Sequence, residues 1–124
     1  TTPYRPAGTT VTIDGFRVLM GKNNTQNEFL TLKKAAKTDL WLHARQIPGS
    51  HVVIETEGLT VPLATIEKAA ALAAWNSKGK DSGKVDVDYT LIRYVKKIPN
   101  GPPGLVNYTH QKTIAAIPTD IKDE

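Results

Sequence analysis

DLWLHARQIPGSHVVIE, residues 39–55, alternates almost without fault. Leu40, Leu42 and Ala44 fall on one side of an extended chain, and Asp39, Trp41, His43 and Arg45 on the other. Pro48-Gly49 suits the centre of a type II turn, since proline presets the first dihedral and glycine accepts a positive φ at the second. Asp39–Arg45 and His51–Glu55 are therefore expected as antiparallel neighbours in a sheet. The polar row is either the wet face of that sheet or a site.

Upstream, VTIDGFRVLMG carries Asp14-Gly15, a two-residue hairpin signal between runs in step-two register. In GKNNTQNEFLTLKKAAK the period changes. Thr25 and Glu28 have capping-box spacing, Phe29, Leu32 and Ala36 form one helical stripe, and Lys33, Lys34 and Lys37 crowd the end. PLATIEKAAALAAWNSKG predicts a second helix with Pro62 in its first turn and Gly79 to stop it. VDVDYTLIRYVKK predicts a long strand, and LVNYTHQKTIAAIP a last hairpin turning near His110. The fold class is α+β: one domain with a largely antiparallel sheet and two main helices packed on it, both expected on one face.

The 124 residues suffice for one core. There is no cysteine, which excludes a disulfide framework, a thiolate nucleophile and Cys-type zinc sites. No apolar run approaches membrane-spanning length, so no membrane insertion is expected. The formal net charge is +4, and residues 1–119 hold 15 basic against 9 acidic side chains, +6, an excess that favours anionic partners. The opening TTPYRPAG looks like part of a longer protein.

Five segments in this order carry a resemblance: GKNNTQN, DLWLHARQIPGSHVVI, the helix ending AAWNSKGK, VDYT, and VKK followed by PGLVNYTHQKT. The chain resembles the NFACT-R (NFACT RNA-binding) domain, the C-terminal module of proteins that include fibronectin-binding protein A and ribosome-quality-control factors. The family-like core spans about 15–118, with 1–10 and 119–124 as tails of a single 1–124 domain. The resemblance implies a non-enzymatic, cytoplasmic RNA-binding module, with tRNA or large-subunit rRNA as partner. The full-length protein would help add C-terminal alanine tails to stalled nascent chains. It also implies an alternative, a fibronectin-binding adhesin module at the surface of Gram-positive cells. One departure stands out: the later loop reads NGPPG, with Pro102 where many relatives carry a basic residue. Lys96 and Lys97 are then left to carry that edge.

The candidate RNA-binding residues follow from their chemistry. Lys22, Asn23 and Asn24 precede a helix start, where free N–H groups favour a phosphate; the bland alternative is a connection whose asparagines simply cap and turn. In the polar row, Trp41 offers a stacking platform, Arg45 a fork for phosphate, and Asp39 a partner for His43 or a base edge. The competing reading packs Trp41 under another layer, with Asp39 and His43 satisfying buried groups. Lys80, Lys96 and Lys97 belong to a basic stretch from Lys78 to Lys97 that would hold RNA or merely be solvated. No cofactor or metal is expected, because the histidines lack ligand spacing. No catalytic residue is expected either: Asp39, His43 and Ser50 supply triad types without a nucleophile elbow.

Overall fold

In the computed structural model, residues 8–123 are described. Strands β1 (Gly8–Ile13) and β2 (Phe16–Gly21) pair through Asp14-Gly15, whose φ angles of 52° and 86° make the predicted hairpin turn. The short helix α1 (Asn24–Phe29) continues into a wider π turn at Leu30–Lys34. Its cap lies earlier than the Thr25–Glu28 spacing suggested. Asn23 Oδ1 accepts from Gln26 N at 2.9 Å, and Gln26 Oε1 accepts from Lys22 N at 2.8 Å.

Strands β3 (Leu40–Ala44) and β4 (Val52–Ile54) are antiparallel neighbours, with Trp41 opposite Val53. Helix α2 (Leu63–Trp75) is ended by Asn76, whose side chain donates to the Leu72 carbonyl, rather than by Gly79. The expected long strand breaks. Strand β5 (Val85–Leu91) stays in the sheet, then a tight turn at Ile92–Tyr94 redirects the chain into β6 (Val95–Lys97). The apolar Ile92 and Val95, three apart, supply the reason: both turn into a second core that a straight strand would not reach.

Strand β6 pairs with β7 (Val106–Tyr108) in a separate two-stranded ribbon, while β8 (Lys112–Ala116) pairs with β5. The chain does turn at His110 (φ 61°), but its two arms join different sheets, so no terminal hairpin forms. The main sheet runs β1-β2-β4-β3-β5-β8, antiparallel throughout.

Both faces of this sheet are apolar, and that overturns the expectation of two helices on one side. Leu42, Ala44, Val52 and Val87 face α2, whose alanines Ala69, Ala70 and Ala73 let it lie close. Leu19, Trp41 and Val53 face the other way, against Leu30, Ile92 and Val95. Alternation in β2, β3 and β4 thus serves two cores.

The expected tails are also part of the body, insofar as they are described. Residues 1–7 of the first lie outside the described residues, but Gly8–Thr10 are paired in β1. At the other end, Thr119 N donates to Ala71 O at 3.1 Å, Ile121 packs on the α2 core, and Asp123 accepts from Thr12 N at 2.8 Å.

Candidate nucleic-acid interface

The polar row does share one face of β3, but that face is roofed over most of its length. Asp39 is only 5% exposed and ties the chain locally: Oδ2 accepts from Ala36 N and Oδ1 from Thr56 N. It neither orients His43 nor meets solvent. Trp41 is 1% exposed under the Leu30 turn and the β6–β7 ribbon, so it offers no open platform. Only His43, half-buried, and Arg45, exposed, emerge beyond the roof.

Around Trp41 the rings form a fixed array. Trp41 Nε1 donates to His51 Nδ1 at 3.1 Å, and Thr31 Oγ1 lies 2.8 Å from the same nitrogen. Because an indole can only donate, Nδ1 must be the acceptor, which places the proton of neutral His51 on Nε2. Burial, aided by neighbouring His43, pushes the His51 pKa down to about 3; contact with the Gly104 backbone opposes this weakly.

His43 stacks parallel to Trp41 at 5.7 Å, with its two nitrogens 2.6 Å from Ala44 O and 3.2 Å from Gly49 O. Burial lowers its pKa despite those carbonyls and nearby Asp88. Tyr108 leans on Trp41 with centroids 4.6 Å apart, and its hydroxyl donates to Asp88 at 2.6 Å. Burial and that carboxylate raise its pKa, with Arg45 close enough to oppose the shift. Asp88, also bonded by Thr113, serves as structure.

These rings floor a cleft of about 490 Å³ between two loops. One wall is Gln46, Ile47 and Pro48; the other is Pro102, Pro103, Leu105 and Val106. The type II Pro-Gly turn expected at Pro48-Gly49 is found in this second wall instead. There Leu105 N donates to Pro102 O at 3.2 Å, and Gly104 takes φ 86°. Gly49 serves close approach: it bridges to Ser77, whose Cβ would stand 2.9 Å from any Cβ at position 49.

Asn24, Asn27, Pro48 and Gly49 also line a second recess, of about 220 Å³, so the two spaces adjoin. Lys22 and Lys78 stand at that recess with Asn23, Ser50 and Ser77, and among the described residues no carboxylate lines either space. Thus Lys22, Asn23, Asn24, His43 and Arg45 gather at one end of the sheet. Of the first-turn amides, Gln26 N is taken by Asn23 Oδ1, and Lys22 N before the cap is taken by Gln26 Oε1.

The other lysines stand differently. Lys97 Nζ is 2.6 Å from Glu28 Oε1, which also accepts from Gly104 N. That lysine, chiefly, holds the Glu28 pKa below its usual value. Lys96 is exposed on β6, and Lys80 lies 4.0 Å over the Trp75 ring. His51, Tyr108, Gln46 and the Pro102–Val106 wall were not singled out as binding residues from sequence. A leucine directly after a Pro-Gly loop was the available signal.

Among the described residues, no three His, Cys, Asp or Glu side chains are placed to hold a metal ion, and no helix is long and apolar enough to cross a membrane. Fold and groove together define an α+β binding module whose recess suits an anionic, ring-bearing ligand.

Comparison with known proteins gives the family. Residues 8–109 match the NFACT protein RNA binding domain, and the chain belongs to that family, whose partner is RNA. It is 50% identical over 118 residues to the Rqc2 homolog RqcH of Bacillus subtilis (strain 168), covering 94% of this chain and 20% of that protein. With the Rqc2 homolog RqcH of Streptococcus suis (strain 05ZYH33) the figures are 47% over 105 residues, 85% and 19%. The chain therefore spans about a fifth of the length of these relatives. In three dimensions it superposes with TM-score 0.85 and 42% identity on the C-terminal part of the fibronectin/fibrinogen-binding protein of Streptococcus suis, covering 97% of this chain and 48% of that one.

Proposed function

We propose that this chain is the RNA-contacting module of a cytoplasmic ribosome quality-control factor, binding tRNA or large-subunit rRNA and catalysing nothing itself. In that reading the full-length protein engages stalled, tRNA-linked nascent chains and supports their C-terminal alanine tailing. The observation that carries it is the acid-free groove, with Lys22 and Lys78 at one end and rings at the other, in a chain of an RNA-binding family.

The test is binding of the chain to a tRNA and to a large-subunit rRNA fragment over a salt series. If the Lys22–Lys78 recess and Arg45 each meet a phosphate, log K should fall against log salt with a slope of about −1.4 to −1.8, at about 0.7–0.9 per contact. Micromolar or weaker affinity at physiological salt is expected, weakened further in Lys22→Ala/Lys78→Ala. An affinity indifferent to salt would refute the phosphate contacts. Trp41→Ala is a poor probe of binding, because emptying so buried a site costs about 3–5 kcal/mol of stability.

The likeness to the Streptococcus suis fibronectin/fibrinogen-binding protein supports a second reading, a fibronectin-binding module. Retention on immobilised fibronectin above that of an equally basic control protein would favour it.

A further inference from the structure

Resting on the RNA reading, we propose that the groove takes one unpaired nucleotide, its base in the ring-floored cleft and its phosphate in the Lys22–Lys78 recess. The cleft's 490 Å³ lies within the range of small-ligand sites, about 300–1,000 Å³. The floor presents His43 and Tyr108, both half-buried and both braced from behind by Trp41. A ring held by a buried neighbour loses little freedom when a base stacks on it.

At the rim, the side-chain amides of Asn24 and Gln46 form no hydrogen bond with any described residue, and each can both donate to and accept from a base edge. Leu105, 48% exposed, and Pro102 and Pro103 give an apolar wall against the ring plane. The adjoining recess brings two ammonium groups and the Ser50 hydroxyl, equipment for a phosphate, while the Ser77 hydroxyl is spent on Ala74 O. The shared lining by Asn24, Pro48 and Gly49 places base and phosphate sites side by side, as one nucleotide requires. A duplex cannot use this cleft, since its stacked bases have both faces covered.

Fluorescence anisotropy with a labelled ten-nucleotide single-stranded RNA, and with the same strand annealed to its complement, tests the idea. Single strand should bind at least about tenfold tighter than duplex. Leu105→Asp puts a carboxylate in the wall at a half-exposed position outside both hydrophobic cores. It should abolish the preference for single strand. Lys22→Ala/Lys78→Ala should flatten the salt slope by about 0.7, for the single phosphate the two lysines share.

Equal binding of single strand and duplex, unaffected by Leu105→Asp, overturns the cleft proposal and leaves RNA binding standing. Binding of neither RNA overturns both. An unstructured proline- and leucine-containing peptide that binds the wild type, but not Leu105→Asp, while neither RNA does, would assign the cleft to protein instead.

Discussion

His51 has nowhere to keep a second proton. Its Nδ1 already accepts from Trp41, and the ring lies in an apolar core that penalises charge. Once unfolded, the same ring titrates near its ordinary value of 6.5. A pKa depressed on folding means stability fully present above about 6.5 and lost as pH falls towards about 3, because only the unfolded chain gains the proton over that span. The unfolding free energy, from urea curves at pH 7.5, 6.5, 5.5 and 4.5, should therefore drop below pH 6.5 by up to about 1.4 kcal/mol per unit from this residue. His43, also lowered, acts with the same sign. His51→Gln should flatten the profile; an equally steep variant would place the titration elsewhere. The alternation of DLWLHAR revealed which side chains share a face. It could not reveal that Trp41 is covered, because much of its roof, Ile92, Val95 and Tyr108, comes more than fifty residues onward.

The β6–β7 ribbon and α1 are too short to stand alone, three residues per strand and six in the helix, and they hold one another through Glu28. One carboxylate oxygen receives both the Lys97 ammonium and the Gly104 amide, pinning the cleft's proline wall to the helix. The ion pair also removes Lys97 from the charge open to RNA. Glu28→Gln keeps an oxygen for Gly104 but releases the lysine. It should tighten RNA binding and steepen the salt slope by up to about 0.7, with little change in melting temperature. Unchanged affinity would show that Lys97 points away from the RNA path even when free. Lys96 and Lys97 were read from sequence as an equal pair, and only a partner 69 positions away separates them. Strand signals governed by turns, such as Asp14-Gly15, were legible because the cause is local. The break at Ile92 was not, since it answers to a core on the far side of the sheet.

The acidic end, which looked like a solvated tail, closes the molecule. From edge strand β8 the chain crosses α2, where Thr119 bonds Ala71, seats Ile121 on the core, and reaches Thr12 of the opposite edge strand through Asp123. It is a belt joining the two edges of a six-stranded sheet over its helix. Two hydrogen bonds near the surface and one partly buried isoleucine amount to about 2 kcal/mol. Truncation after Pro118 should then lower the melting temperature by roughly 5–10 °C for a domain of this length. The groove is walled by the β3–β4 and β6–β7 loops and borders neither Ile121 nor Asp123. RNA affinity measured below the new transition should therefore match that of the intact chain. A truncated protein that melts within about 2 °C of the original would make the belt passive. One that melts normally yet loses RNA would move part of the interface to the α2 face, where the apolar packing and the ring-floored groove are not continuous.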